Sequence, residues 1–180
     1  SQWVAHLAQK FQGCRIGLVG ATDNDVISTI INGDSGILES CPEWFKPKWN
    51  PSYKKITFPN GSECEYFSSE KPHRLRGRNF NYALIDEFTS WRFPEETWDM
   101  LGMTLRLDED NRILVATTPR NIESYVNIIK SSTTWSYVGN TFENQDNLSK
   151  RFIQEMTMRY EGTRLGAQEL EAEILADDDK

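Results

Sequence analysis

The sequence of 180 residues is poor in cysteine and contains no long apolar run. Its three cysteines, Cys14, Cys41 and Cys64, include no Cys-x-x-Cys pair, and this spacing argues against a disulfide framework or a zinc site. No apolar run reaches the length of a membrane span, and no charged-then-apolar leader indicates secretion. The length of 180 residues fits a single domain. The absences predict a protein of the reducing cytoplasm that is not associated with a membrane.

Charge is unevenly distributed along the chain. The net charge of −7 disfavours a general nucleic-acid binder. Residues 46–78 nevertheless hold eight Lys or Arg against three acids, whereas residues 141–180 hold ten acids against five basic residues. The basic stretch is compatible with contact to a phosphate backbone, with an acidic partner, or with a plain solvated surface, and its composition leaves these alternatives open.

The most informative stretch is a short apolar run over residues 82–85 that ends in two adjacent acids, Asp86 and Glu87. Such a run predicts a buried parallel strand that brings both carboxylates to its carboxyl end, where open α/β sheets bind ligands. There Asp86 can hold Mg²⁺, directly or through water, and Glu87 can orient and deprotonate an attacking water. A strand that simply enters solvent through two acids explains the same pattern.

A second apolar run, over residues 113–116, ends in Thr117, Thr118, a proline and Arg120. It predicts another buried strand with polar chemistry at its tip. Strands and helices alternate along the chain, which predicts a three-layer α/β fold. We therefore expect strands near residues 15–20, 82–86 and 112–117 in one mostly parallel sheet, with Asp86 and Thr118 at the same edge.

The remaining elements are predicted from local patterns. Asn60 and Gly61 lie between two alternating runs and predict a β-hairpin over residues 54–67, as an appendage or edge pair of the sheet. Residues 33–50 are predicted to be irregular, and residues 135–138 to form one more strand. Helices are predicted over residues 1–12, 23–32, 93–105, 123–130, 147–160 and 163–175.

Together with Arg76 and Gly77 before the acidic strand, the two strand tips resemble the ATPase domain of large terminase subunits, the DNA-packaging motors of tailed bacteriophages and related prophages. Further segments are similar to the family in order and spacing: residues 14–22, 33–38, 140–144 and 160–169. One departure is the lack of a Gly-x-x-x-x-Gly-Lys-Ser/Thr loop. In the family this phosphate-binding loop precedes a helix like the one that starts at Ser1, so we expect the sequence to begin just after it.

The resemblance implies a fold and a role for each candidate residue. The fold would be a three-layer P-loop NTPase-like sheet of the additional-strand type, mostly parallel, with helices on both faces and truncated before the Walker A strand and loop. Residues 1–175 would form a partial ATPase domain, and residues 176–180 an acidic linker toward an absent nuclease domain. The implied roles are a Walker B metal ligand at Asp86, a catalytic base at Glu87, γ-phosphate sensors at Thr117 and Thr118, and an arginine finger at Arg76. Arg120 would lie near the nucleotide, although a cation there can also cap a helix or pair with Asp86.

The resemblance further implies an ATP hydrolase that uses ATP and Mg²⁺ to translocate double-stranded DNA into a procapsid. Its partners would be DNA, the portal protein, the small terminase subunit and further copies in a ring, at the portal in the cytoplasm of the bacterial host. Without the phosphate-binding loop, the chain alone is expected to have weak ATPase activity or none.

Two alternative functions remain. One is a catalytically silent remnant or interaction module that binds portal or partner subunits. The other is a metal-dependent nuclease, which is the weaker hypothesis because no further carboxylates stand at a matching strand end.

Overall fold

The computed structural model describes residues 1–107, 109–139, 149–160 and 163, and the chain forms two compact units, Ser1–Ala116 and Thr117–Lys180. The helices of the first unit are α1 (Gln2–Lys10), α2 (Asp23–Asp25), α3 (Ile37–Ser40) and α4 (Pro94–Gly102). Its strands are β1 (Arg15–Gly20), β2 (Lys48–Asn50), β3 (Lys55–Thr57), β4 (Glu63–Ser68), β5 (Tyr82–Asp86) and β6 (Arg112–Ala116). The second unit contains α5 (Glu123–Lys130) and α6 (Lys150–Tyr160). No helix in these described ranges is both long and apolar enough to span a membrane.

Within the described residues, six strands form one mixed sheet in the order β2-β3-β4-β1-β5-β6. β1 pairs in parallel with β4 and with β5, and β5 pairs in parallel with β6. β3 is antiparallel to both β2 and β4. The three strands predicted to share one sheet are therefore direct neighbours, and the prediction of a mostly parallel α/β sheet is confirmed.

One face of the sheet packs against α1. The apolar residues of this helix recur at helical spacing, and Val4, Ala5, Leu7 and Ala8 are buried in a core that also contains Ile16 and Leu18 of β1. The helix ends where the β3–β4 turn caps it, because Asn60 donates from Nδ2 to the Ala8 carbonyl at 2.7 Å and Ser62 donates from Oγ to the Phe11 carbonyl at 2.8 Å. The hairpin turn thereby supplies partners for carbonyls that a helix end leaves unsatisfied.

The opposite face of the sheet is covered as well. Successive strand residues point to opposite faces, so Val19 of β1 and Ile85 of β5 lie opposite the α1 core, and neither is accessible to solvent. Gly17 makes room on this face for the ring of Phe80, which a Cβ at position 17 would meet at 3.0 Å. Both faces are thus buried, as the predicted three-layer arrangement requires.

The β3–β4 hairpin is confirmed, but its predicted place in the sheet is wrong. β4 lies inside the sheet between β3 and β1, since it pairs along the whole of β1 from Arg15 opposite Glu63 to Gly20 opposite Ser68. The stretch predicted to be irregular also contains a strand, β2, in which Trp49 pairs with Ile56. Both differences depend on pairing with distant strands, which local sequence patterns do not encode.

The predicted strand over residues 135–138 is wrong: the structure has no strand there, and Trp135 is 85% exposed. Alternation of apolar residues makes a strand only where a partner strand accepts its hydrogen bonds. The helices predicted over residues 123–130 and 147–160 are confirmed as α5 and α6. The predicted helix over residues 163–175 and the linker over residues 176–180 lie outside the described residues, apart from Thr163.

Candidate functional site

Four parallel strands end at the same edge of the sheet. The register aligns Gly20 of β1 with Ser68 of β4, and Asp86 of β5 with Ala116 of β6. After β1, the chain returns through β4 on one side of β1 and then crosses to β5 on the other side. Ligand crevices of open α/β sheets lie at such topological switch points, outside the carboxyl ends of the strands. The two acids predicted to carry chemistry are therefore at the expected edge.

Asp86 is half-buried at the tip of β5, and its carbonyl accepts a hydrogen bond from Nε1 of Trp91 at 3.0 Å. Burial raises the pKa of its carboxyl, and the negative charges of Glu87 and Asp25 raise it further. The carboxylates of Asp86, Glu87 and Asp25 thus concentrate negative charge in a partly desolvated site. Such a site favours a bound cation or a proton.

Glu87 has a left-handed backbone, with φ 50° and ψ 48°. Its N–H donates to the Ala116 carbonyl at 2.7 Å, and its own carbonyl accepts from the N–H and the Oγ of Ser90, at 2.9 Å and 2.7 Å. This conformation costs a non-glycine residue about 1–2 kcal/mol. Backbone strain of this kind clusters at functional sites, where the surrounding structure maintains it. Here it turns the chain at the strand tip and leaves the Glu87 side chain exposed.

A capped turn follows β1 at the same edge. The N–H of Thr22 donates to Oδ2 of Asp25 at 3.0 Å, and the N–H of Asp25 donates to Oγ1 of Thr22 at 3.2 Å. This is a reciprocal capping box with Thr22 as the cap residue. The chain then continues as a π-helical turn, Val26–Ile31. The spacing Thr-x-x-Asp could have predicted the box, but the proximity of Asp25 to Asp86 has no local signature.

Lys54 and Asp23 extend the polar edge toward β3. Lys54 also has a left-handed backbone, with φ 53°, and its Nζ forms an ion pair with Asp23 and lies 5.6 Å from the ring centroid of Tyr66. Oδ1 of Asp23 is buried and has no hydrogen-bond partner in the described part of the chain. Sequence patterns did not single out this pair, because it joins residues 31 positions apart.

The amino end of α1 also lies at this edge. Oγ of Ser1 donates to the Ile30 carbonyl at 3.1 Å. The N-terminal end of a helix carries partial positive charge and attracts anions such as phosphate. The edge therefore combines a helix amino end with two carboxylates.

Arg76 is not brought to the acid pair within the chain. It lies in the β4–β5 connection, exposed, directly after a 3₁₀ turn, Pro72–Leu75. It forms no ion pair in the ranges that the structure describes. Gly77, the next residue, has a left-handed backbone with φ 79°.

The other predicted site residues belong to the second unit and follow β6 in the chain. Thr117 and Thr118 are half-buried, and Oγ1 of Thr117 donates to the Thr118 carbonyl at 3.2 Å. Arg120 is exposed, and its carbonyl accepts a hydrogen bond from the N–H of Ile122 at 2.9 Å. Ala116, the last residue of β6, pairs with Asp86, and Thr117 is the next residue along the chain.

Comparison with known protein families identifies the family of this chain. The family described as terminase large subunit, T4likevirus-type, N-terminal, matches residues 1–180. The chain belongs to this family. Comparison with curated protein sequences finds no match.

Solved terminases share the fold. The large terminase ATPase domain of Thermus phage P74-26 has a TM-score of 0.66 and 12% identity, over 96% of this chain and 81% of that one. A large terminase from a thermophilic bacteriophage, solved in complex with ADP, has a TM-score of 0.78 and 15% identity, over 97% of this chain and 44% of that one. This terminase chain thus spans most of an ATPase domain and less than half of a longer large terminase.

Proposed function

We propose that this terminase chain provides the hydrolytic part of an ATPase site that drives DNA packaging. The observation that carries the proposal is the pair Asp86 and Glu87 at the tip of β5, at the switch point of the sheet. The ADP complex of a similarly folded large terminase supports a nucleotide as the ligand. In this proposal residues 1–175 belong to the ATPase domain, and residues 176–180 lead toward a nuclease domain.

The donor set fits a nucleotide-bound Mg²⁺. In the described part of the chain, no group of three or more His, Cys, Asp or Glu side chains is placed to hold a metal. Mg²⁺ in nucleotide sites usually takes one or two carboxylates and completes its shell with phosphate oxygens and water. A half-buried Asp86 whose pKa is raised by burial, by Glu87 and by Asp25 supplies such a carboxylate. When bound, Mg²⁺ would neutralise phosphate charge as the bond to the γ-phosphate breaks.

Glu87 is the proposed catalytic base. Its side chain is exposed beyond the strand, and its backbone is held by hydrogen bonds to Ala116 and Ser90. A carboxylate presented from this backbone can accept a proton from a water and orient that water for attack. Asp86 and Glu87 are adjacent in the chain. In this proposal Asp86 binds the metal ion and Glu87 accepts the proton.

Thr117, Thr118 and Arg120 are proposed to report the state of the γ-phosphate. Hydroxyl and guanidinium donors can bind a phosphate oxygen before hydrolysis and release it afterwards. Because these residues follow β6 directly in the chain, a change in their contacts would act on the end of that strand. This is the proposed route from hydrolysis to movement.

The complete protein is proposed to translocate double-stranded DNA into a procapsid. Its partners would be the portal protein, the small terminase subunit and further copies of itself in a ring, at the portal in the cytoplasm of the bacterial host. Membership of the terminase family supports these assignments.

Arg76 is proposed to act on the site of a neighbouring copy. It is exposed and unpaired in the described part of the chain, and Gly77 after it has the left-handed backbone that glycine tolerates. A guanidinium that reaches the γ-phosphate of a neighbour stabilises transition-state charge, an effect of about 10³–10⁵ in rate where such a finger acts. This role needs no contact between Arg76 and the Glu87 of its own chain.

Subunit mixing tests the proposal, in a large subunit that carries this sequence after a phosphate-binding loop. Arg76→Ala and Glu87→Gln should each retain nucleotide binding and lose assembly-stimulated hydrolysis. In a mixture, some interfaces combine an intact Arg76 with an intact Glu87, so ATP turnover should partly return. If both variants fold and assemble but the mixture stays inactive, Arg76 does not act in trans. If the unmodified subunit shows no turnover at all, a catalytically silent interaction module becomes the better account.

A further inference from the structure

The peptide group that joins the two acids is hydrogen-bonded on both sides. Its N–H, which belongs to Glu87, donates to the Ala116 carbonyl at the end of β6, at 2.7 Å. Its carbonyl, which belongs to Asp86, accepts the indole N–H of Trp91 at 3.0 Å. The pairing of β5 with β1 ends at Ile85, one residue before Asp86. The indole therefore supplies a donor where the neighbouring strand no longer pairs.

The ring of Trp91 is fixed by its packing. Trp91 is only 5% exposed, and its ring centroid lies 5.1 Å from that of Phe88, which is inaccessible to solvent. The backbone N–H of Trp91 also donates to the Phe88 carbonyl at 3.2 Å, directly after the 3₁₀ turn Phe88–Ser90. A buried indole usually finds a partner for its N–H, and here the partner is the end of β5. Trp91 is therefore a preorganised donor to that strand end.

These contacts determine the conformation of Glu87. The backbone angles of a residue are set by the peptide planes before and after it. The plane before Glu87 is bound by Trp91 and Ala116, and the plane after it is bound through the Glu87 carbonyl, which accepts from the N–H and the Oγ of Ser90. A left-handed backbone with φ 50° is unfavourable for glutamate and persists only when surrounding contacts maintain it. Loss of the indole contact would free the first plane to rotate.

We propose that Trp91 is a positioning residue for the acid pair, because its indole N–H fixes the peptide group between Asp86 and Glu87. The inference rests on the proposed function in that Glu87 is the catalytic base. It adds a residue that acts through the backbone and not on the nucleotide. A displacement of a reacting group by about 1 Å can lower a rate about 10²-fold, so the direction in which Glu87 leaves the strand matters for turnover.

Trp98 on α4 provides a matched control. Its ring centroid lies 5.8 Å from that of the same Phe88, and its indole forms no hydrogen bond in the described part of the chain. Trp91→Phe and Trp98→Phe therefore make the same change in ring size beside the same buried ring. Only Trp91→Phe removes a donor from the Asp86 carbonyl.

Amide hydrogen exchange, measured by NMR on the chain itself, tests whether Trp91 holds this peptide group. In Trp91→Phe the Glu87 amide should exchange about two- to tenfold faster, the range expected from the loss of one hydrogen bond. In Trp98→Phe it should exchange as in the unmodified chain. The amide of Leu84, a buried residue of β5, corrects for any change in global stability. This measurement requires neither nucleotide nor turnover.

Steady-state ATP hydrolysis tests the consequence for catalysis, in a large subunit that carries this sequence after a phosphate-binding loop. Trp91→Phe should lower kcat at least about tenfold and leave KM for ATP and nucleotide binding unchanged, because the misplaced group acts only in the chemical step. Trp98→Phe should change neither constant. If Trp91→Phe does not fold, benzothienylalanine incorporated at position 91 replaces the N–H with sulfur and retains the shape of the ring. The same results are expected from it.

Two results would overturn the proposal. One is an equal rate of Glu87 amide exchange in Trp91→Phe and Trp98→Phe after the correction. The other is faster exchange in Trp91→Phe while kcat stays unchanged in an active subunit, which would make the contact purely structural. A failure of the proposed function is seen separately, as unmodified turnover in Glu87→Gln, and the exchange measurement does not depend on that result.

Discussion

β5 and β6 are adjacent parallel strands with similarly apolar sequences, yet only β5 is buried. Residues 82–85 are at most 5% exposed, whereas β6 alternates between exposed and half-buried residues, with Leu114 41% exposed. β5 has a strand on each side, while β6 has one on one side only among the described strands. Burial is therefore set by position in the sheet rather than by apolar content. Within the part of the chain that the structure describes, the expectation of a buried strand is confirmed for β5 and wrong for β6.

The difference in burial between β5 and β6 also affects the residues at their carboxyl ends. Because β5 is buried, the pKa of Asp86 at its tip is raised, and the chain leaves the strand through a strained Glu87. β6 leads into the second unit at Thr117. A desolvated, preorganised tip is suited to binding a charged ligand.

Core truncation should show the contrast most strongly. Ile85→Ala removes a fully buried side chain and should lower the free energy of unfolding by about 2–5 kcal/mol. Leu114→Ala removes a side chain that is already 41% exposed and should cost less, about 1 kcal/mol. Denaturant unfolding of the two variants measures both values. Equal losses would show that β6 is as buried as β5.

Glycine should be more stabilising than alanine at position 87, after β5, and less stabilising than alanine at position 116, at the end of β6. Glu87→Gly relieves a left-handed backbone and should be more stable than Glu87→Ala by about 1 kcal/mol. Ala116→Gly, opposite Asp86 at the end of an extended strand, should destabilise by about 0.5–1 kcal/mol. Thermal unfolding compares the variants. A destabilising Glu87→Gly relative to Glu87→Ala would remove the argument for strain at this tip.

The smallest expected effect is a pH dependence at the β5 tip. Burial, then Glu87 and Asp25, raise the pKa of Asp86 above its ordinary value of 3.8, so the folded state retains this proton more tightly than the unfolded state. Stability should therefore fall as pH rises from 3.8 through the raised pKa. Asp86→Asn should remove this fall, and its gain should be present at neutral pH and vanish in acid. Asp110→Asn, in an exposed ion pair with Arg112, is the control and should show no such gain.

Sequence patterns predicted the elements whose signals are local. The apolar runs of β1, β5 and β6, the Asn60-Gly61 turn and most helices were confirmed because each signal lies within a few residues. β2 was missed because its three residues are defined by pairing with β3. The strand predicted over residues 135–138 was wrong because apolar alternation does not supply a partner strand.

The candidate site likewise contains features that the sequence predicted and features that it did not. The placement of Asp86 at the edge of the sheet followed from an apolar run that ends in acids, and the structure confirms it. The approach of Asp25 and Ser1 to Asp86 was not predictable, because it depends on how β1 and α1 pack beside β5. The roles of Glu87, Arg76, Thr117, Thr118 and Arg120 stay predictions.

Turnover by Glu87→Gln tests the central claim, that hydrolysis depends on the tip of β5. The measurement is ATP hydrolysis and nucleotide binding in a large subunit that carries this sequence after a phosphate-binding loop, with Glu95→Gln on α4 as an exposed control. The amide retains the shape of the side chain but removes the base, so binding should persist and turnover should fall about 10²–10⁴-fold, while the control stays unchanged. Unmodified turnover in folded Glu87→Gln would contradict the account and place the catalytic base elsewhere.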